Sequence, residues 1–405
     1  MSRQLRQLRQ LRVRVASAVQ SLTPAALEIA ATLHADPELS LCETRAARRL
    51  MSFLRGEGFT VRRGVAGLPT AFVARKAGGR GVPRIALLAE YDALPGIGHA
   101  CGHNLIAAAA VAAGAAVGRV IGSLRGEIQV IGTPAEETIG GKAQMVDRGL
   151  FRGLDAALMF HPSTEDRVLT TSLACHSLEV TFHGRAAHAV AAPEEGINAL
   201  HALIQLFLNL ERERHRLPRE VRMPGVITEG GQRANIVPDR ATGRFTLRAR
   251  DLPTLSRVEV RFREAVRRAA ASTGARATLK SLDHPYAEMR TNRTLARIFK
   301  RELVALGRET VDTPRTRMGS LDMGNVSQVV PAIHPYVAIA PRGVPLHSRA
   351  FARHAGGRRG RTGLRIAARA LALTALEVLA SDDLRASARR EWERHPRSGR
   401  GTRRS

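Results

Sequence analysis

The segment His99-Ala100-Cys101-Gly102-His103 puts a thiol and two imidazoles into one short loop. Cys101 and His103 stand two positions apart with a glycine between them, so a thiolate and an imidazole can turn toward one ion. A soft thiolate beside imidazoles and carboxylates favours zinc, and a mixed set also admits manganese or cobalt. On spacing alone a buried free cysteine next to two histidines explains the segment equally well, because His-x-Cys-x-His is not a standard zinc pattern. Glu136-Glu137 follows Gly132-Thr133-Pro134. Neighbouring carboxylates can divide labour, one holding metal and the other moving protons. An acidic helix N-terminus would account for the pair too. His161 ends an apolar stretch, and His347 lies in Pro345-Leu346-His347-Ser348. Each alone also reads as a structural histidine, and His188 alone as a loop histidine.

The elements that must carry these residues give them a common place. Pro83 to Glu90, Glu127 to Gly132, Ala156 to Phe160 and Tyr336 to Ala340 read as buried strands close to helical patterns. That is the signature of an α/β domain with a largely parallel sheet. In such sheets ligands bind beyond the carboxyl ends of the strands. Here those ends lead to Glu90, Asp92, His99, Cys101 and His103, then to Glu136-Glu137, to His161, and across a loop to His347. The joint placement makes one site of residues that singly prove nothing. Leu105 to Val117, mostly alanine, reads as a buried helix packed closely on the sheet. Thr23-Pro24 reads as a helix start, with proline in the first turn, and Glu43 to Gly56 as a second helix.

Between the third and fourth strands the pattern changes to β-α-β-β-α-β, a ferredoxin-like unit. Its strands are Ser177 to Phe182, Gly225 to Glu229, Arg244 to Arg250 and Ala277 to Leu282. Its helices are Gly196 to Glu213 and Leu255 to Ser272. The expected organisation is a catalytic domain at 1–174 and 285–392, an inserted α+β lid or dimerisation domain at 175–284, and a disordered basic tail at 393–405.

The formal charge is +27 and comes almost wholly from arginine, since only Lys76, Lys142, Lys280 and Lys300 are lysines. The arginines are spread along the chain, and aromatics make up only 4% of it, which argues against a nucleic-acid surface. No long apolar run reads as a membrane span. Cys42, Cys101 and Cys175 are too few and too odd in number for a disulfide framework. The Arg-rich start lacks the apolar region of a secretory signal. It reads as a helical extension or a misplaced start, although a transit peptide shares its composition. The expected compartment is the cytoplasm, with no nucleic acid and no membrane as partner.

The segment Ala89-Glu90-Tyr91-Asp92-Ala93-Leu94-Pro95-Gly96-Ile97-Gly98-His99-Ala100-Cys101-Gly102-His103-Asn104 resembles the metal loop of the zinc aminoacylase and carboxypeptidase family, amidohydrolase branch. Gly132 to Glu137, Gly184 to His188, Ala234 to Pro238 and Gly319 to Ser327 match in order, and the likeness covers about residues 20–385. The resemblance implies that Cys101, His103, Glu137, His161 and His347 are ligands of two divalent ions, zinc or manganese. It implies Glu136 as general base and Asp92 as the carboxylate that orients a ligand. It implies that His188 reaches into the site, usually of a dimer partner, with Asn235 near the substrate. Arg248 and Arg315 are possible carboxylate anchors. The expected activity is hydrolysis of N-acyl amino acids or dipeptides bearing a free carboxylate, in a homodimer joined through the inserted domain. Leu321-Asp322-Met323-Gly324-Asn325 departs from the Glu-Asp-Phe form of the hippurate and auxin-conjugate enzymes. It is more similar to the aminobenzoyl-glutamate and dipeptidase-like branches, so aminobenzoyl-glutamate is the alternative substrate. A metal-dependent ligand-binding homologue without catalysis is a further alternative, which the presence of Glu136 disfavours.

Overall fold

The computed structural model describes residues 3–311 and 319–394. These residues form two compact units, one of 3–171, 289–311 and 322–394, the other of 172–288 with 319–321.

In chain order the first unit begins with α1 (Arg3–Ala35), α2 (Thr44–Gly56), β1 (Thr60–Arg63), β2 (Phe72–Ala77), β3 (Gly79–Ala89) and α3 (His103–Gly118). It continues with β4 (Arg125–Gly132), α4 (Gly141–Asp147), β5 (Ala156–Leu158) and β6 (His161–Ser163). The second unit holds β7 (Ala174–His183), α5 (Ala199–Arg214), β8 (Gly225–Glu229), β9 (Arg240–Ala249), α6 (Leu252–Thr273) and β10 (Arg276–Ser281). The chain returns with α7 (Arg293–Ala305), α8 (Met323–Ser327), β11 (Ala332–Ile333), β12 (Tyr336–Ala338), α9 (Arg349–Gly356), α10 (Arg358–Ala380) and α11 (Asp382–Glu393).

The main sheet has the order β1-β2-β4-β3-β5-β11. Its β4-β3-β5-β11 part is parallel, and β1 and β2 add an antiparallel edge. The fold is therefore α/β with a largely parallel sheet. Every residue of α3 is buried. A Cβ on Gly114 would stand 2.3 Å from Val130 Cγ2, so only glycine lets the helix lie this close to the sheet. Tyr336–Ala338 does not join the main sheet as its fourth parallel strand. It pairs instead with His161–Ser163 in a separate two-stranded ladder. The reason lies in two His-Pro steps, His161-Pro162 and His334-Pro335. Proline has no N–H to continue a ladder, and both chains leave the main sheet at these steps, still paired by His161 N donating to Pro335 O.

α1 also differs from expectation, because it runs through Thr23-Pro24 without a break. Pro24 removes one helix donor. Thr23 Oγ1 donates to Val19 O at 2.8 Å, and the buried stripe Leu11, Val15, Val19, Leu22, Ala26 and Ile29 holds both halves on one face. Arg12 bonds Glu302 at 2.9 Å and also pairs with Glu377, so the Arg-rich start is docked on the first unit. Glu393 ends α11, and 395–405 of the expected tail lie outside the described residues.

The second unit is an antiparallel sheet of order β10-β7-β9-β8 with α5 and α6 packed against it. Leu178, Phe182, Leu203, Phe245 and Phe262 are buried in its own core. Asn198 and Asp251 cap the two helices by accepting from His201 N and Thr254 N. The β-α-β-β-α-β order and this strand order make it ferredoxin-like. Among the described residues no helix is long and apolar enough to cross a membrane.

Candidate metal centre

Three loops of the first unit converge beyond the sheet. The first leaves β3 and returns into α3. Its Gly102 has φ +82°, and a Cβ there would stand 2.7 Å from Pro162 Cγ. Glycine thus lets the Cys101–His103 turn lie against the proline beside His161. The second loop leaves β4. Its Ala135 has φ +59°, a conformation that costs a non-glycine residue about 1–2 kcal/mol. The fully buried Glu43 accepts from Ala135 N at 2.9 Å and from Thr70 Oγ1 at 2.9 Å, which holds the strained turn. No helix begins at Glu136-Glu137, since α4 starts only at Gly141. A helix-dipole account of the pair therefore falls away. The third loop carries His347 at φ +57°, with its N donating to Ala100 O at 3.1 Å.

The side chains meet within these loops. Cys101 Sγ lies 3.3 Å from His161 Nε2 and 3.4 Å from His347 Nε2. Glu137 Oε1 is 3.8 Å from both His103 Nε2 and His347 Nε2. Cys101, His103 and His161 form one group of potential metal donors, Cys101, Glu137 and His347 a second, and His103, Glu136 and Glu137 a third. Tetrahedral zinc with bonds of about 2.0–2.3 Å needs donor atoms roughly 3.3–3.7 Å apart, so these spacings suit an ion. The ring orientations suit it too. His161 Nδ1 bonds Pro162 O at 2.7 Å, which leaves Nε2 facing Cys101. His103 Nδ1 bonds Asp92 Oδ1 at 3.0 Å, and the other Asp92 oxygen accepts from Ser40 Oγ at 2.8 Å and Glu137 N at 3.0 Å. Asp92 thus ties one donor ring to the backbone of a second donor.

The electrostatics call for positive charge. Burial pushes the Cys101 thiol well up, and nearby Glu137 pushes it the same way against the pull of His103. Burial would lower His103, but the charges of Cys101, Asp92 and Glu90 outweigh it and raise its pKa far above the ordinary value. Burial would raise Asp92, yet the charge and hydrogen bond of His103 hold its carboxyl well below the usual range. Glu136 is half-buried but encircled by protein. That desolvation, with the charges of Asp322, Glu90 and Glu137, lifts its pKa well above a normal glutamate. His103 Nε2, Glu137 Oε1 and Glu90 Oε2 are buried with no hydrogen-bond partner. Such atoms are costly unless something cationic satisfies them, so these residues fit divalent metal.

Several neighbours carry no role in the sequence reading. Lys142, fully buried, bonds Asp322 at 2.6 Å and Glu90 as well. His334 packs its ring 5.3 Å from that of His161. Two weak signals pointed to them: Lys142 is one of only four lysines in an arginine-rich chain, and His334-Pro335 repeats the His-Pro step of 161, as 284 and 395 also do. His99 is buried and belongs to none of the three donor groups. Burial lowers the pKa of His334 to about 4. A histidine depressed in this way stays neutral in the folded protein while the unfolded chain takes a proton below about pH 6.5, so stability falls as pH drops from there toward 4. His334→Phe should flatten this acid limb by at most about 1.4 kcal/mol per pH unit, read from urea midpoints of wild type and variant between pH 7 and 5. Parallel curves for the two proteins would contradict it.

In the second unit, His188 and Asn235 come together. Ala189 N donates to Asn235 O at 3.0 Å, and residues 188 and 236 form a bridge. His188 is exposed, and its Nδ1 accepts from Ala191 N at 3.0 Å, which places the ring proton on Nε2. Arg248 lies on β9 and reaches Ser320 Oγ at 3.5 Å. Arg315 lies outside the described residues.

The chain is similar to several known proteins. The peptidase dimerisation domain family matches residues 175–274. The Xaa-Arg dipeptidase of Mus musculus is 36% identical over 372 residues, spanning 88% of this chain and 86% of its own. One chain of the p-aminobenzoyl-glutamate hydrolase of Escherichia coli (strain K12) is 34% identical across 61% of this chain and 55% of its own. A solved Bacillus subtilis protein, described as a dinuclear metal-binding peptidase from the M20 family, superposes with a TM-score of 0.67 at 21% identity, over 89% of this chain and 99% of that one. With the dipeptidase likeness running over most of both chains and the metal-competent loops in place, the chain belongs to the M20 family of metal-dependent peptidases and amidohydrolases.

Proposed function

We propose that this protein hydrolyses the amide bond of dipeptides or N-acyl amino acids that carry a free carboxylate. The observation that supports this most is the set of three donor groups joined through Cys101, His103 and Glu137, with Glu136 at their edge. Cys101, His103, Glu137, His161 and His347 would hold two divalent ions, zinc or manganese, with cobalt a third candidate. Such ions, when bound, polarise a carbonyl and make a nearby water easier to deprotonate. Glu136 takes a proton from the attacking water and returns it to the leaving nitrogen as the C–N bond breaks. His188, with its proton on Nε2, donates to the oxygen that gains charge in the transition state. Asn235 and Arg248 bind the substrate, Arg248 through its carboxylate.

A dipeptide with a basic C-terminal residue is the first choice of substrate, because the dipeptidase relative spans most of the chain. Aminobenzoyl-glutamate is the second, supported by the bacterial hydrolase that matches over a shorter stretch. The protein acts as a homodimer through its second unit, which the dimerisation-domain match supports. The edge strand β8 fits that role, being exposed along its length with Val226 and Ile227 open to solvent. Three free cysteines suit the reducing cytoplasm.

The test is a panel run on zinc- and manganese-loaded protein. It contains aminoacyl- and β-alanyl-arginine and -lysine, N-acetyl amino acids and p-aminobenzoyl-glutamate. Hydrolysis of at least one is expected, with kcat/KM falling at least about 10²-fold when its carboxylate is amidated, the scale of a lost charge-assisted contact. No hydrolysis across the panel, or indifference to amidation, would overturn this reading.

A further inference from the structure

Glu90 leaves the end of β3 and is almost wholly buried, at 1% exposure. One of its oxygens, Oε1, is taken by Lys142 Nζ. The other, Oε2, is buried without a hydrogen-bond partner and lies 3.4 Å from His103 Nε2, which has none either. Because Asp92 occupies Nδ1 of the same ring, Nε2 is the His103 atom that faces this oxygen. Two buried polar atoms left without hydrogen bonds at that distance are costly unless a cation stands beside them.

Glu90 is not held there by chance packing. Asp322 accepts from Lys142 at both ends of the residue, the backbone N at 2.9 Å and Nζ at 2.6 Å. Lys142 lies in the first turn of α4, six positions after Glu136 in the same loop-helix segment. Two carboxylates share one ammonium, and Glu90 Oε2 is left without a donor. A buried carboxylate oxygen of that kind is costly unless a cation or a donor satisfies it.

We propose that Glu90 is a further carboxylate of the metal centre, aimed by the Lys142–Asp322 pair at the coordination sphere of the ion on His103. It contacts that ion directly or through one of its waters. Lys142 and Asp322 are positioning residues: they fix which Glu90 oxygen is free and where it points. The inference rests on the metal centre proposed above.

The test is metal affinity, measured by competition with a chromogenic chelator, together with the visible spectrum of the cobalt-substituted protein. Wild type, Cys101→Ala, Glu90→Gln and Glu90→Asp are compared. Glu90→Gln keeps size and loses charge; Glu90→Asp keeps charge and withdraws the oxygen. Both are expected to weaken one ion by about 10–100-fold, the range for partners of metal ligands, and to alter the cobalt spectrum. The charge-balanced pair Lys142→Met/Asp322→Asn should weaken the same ion while leaving the other untouched. Circular dichroism of each chelated variant identifies any that has not folded, and the remaining Glu90 variant then decides. Wild-type affinity and spectrum in a folded Glu90 variant, with Cys101→Ala impaired, would overturn the role of Glu90 and leave the centre standing. Wild-type affinity in Cys101→Ala as well would overturn the centre itself.

Discussion

Glu136→Gln should lower kcat by about 10²–10⁴-fold, the usual contribution of a positioned proton-transfer group, while metal content stays at the wild-type level. Glutamine matches glutamate in size but cannot carry a proton back to the leaving nitrogen. KM should change little, since the lost interaction belongs to the transition state. The turn should survive because Glu43 and Thr70, not Glu136, hold Ala135 in its left-handed conformation. The substitution also removes a carboxyl whose ionisation is opposed by its surroundings, so the variant should be no less stable than wild type. Steady-state kinetics, elemental analysis and thermal unfolding together decide it. Turnover within a few-fold of wild type would remove Glu136 from the base position. Lost metal would instead make it a ligand, in keeping with its membership of the third donor group.

What the sequence shows of this site depends on how the residues are tied together. Cys101 and His103 sit in one turn, and Glu136-Glu137 are adjacent, so spacing displays both pairs. Their positions past strand ends follow from the sheet, because residues 85–89 of β3 and 156–160 at β5 are uninterrupted apolar runs and 128–131 of β4 is broken only by Gln129. Long-range pairings leave no such trace. Asp322 grips Lys142 across 180 positions, and neither residue has a spacing that points to the other. Glu43 braces Ala135 from 92 positions away in the same manner. Local rules also mislead where packing outweighs them. Pro24 reads as a helix start, yet burial of Val19, Leu22 and Ala26 carries α1 through it at the expense of one hydrogen bond. Tyr336 to Ala340 reads as a core strand by its apolar run, but Pro335 takes it out of the main ladder to pair with His161–Ser163. That departure brings His161 to Cys101, so the misread strand and the ligand position have one cause.

Removing the metal should destabilise one part of the molecule and spare the other. The donor loops all belong to the first unit, where Glu90 Oε2, Glu137 Oε1 and His103 Nε2 lie buried without hydrogen-bond partners. An ion present at about 1,000 times its Kd adds roughly 4 kcal/mol to the state that binds it. The second unit has its own core, built around Phe182, Phe245 and Phe262, and none of the proposed ligands. Calorimetry should therefore resolve two transitions. Chelation should move one of them down and leave the other in place, and zinc or manganese should restore it. Cys101→Ala should shrink the shift, because Cys101 belongs to two of the three donor groups. Far-UV circular dichroism should change little on chelation at 25 °C, since α3 and the main sheet are packed by apolar side chains rather than by the loops. Equal shifts in both transitions would mean that the units unfold as one and that the ions stabilise more than the loops they join. No shift in either would leave the buried, unsatisfied atoms of His103, Glu137 and Glu90 without the cation their placement calls for.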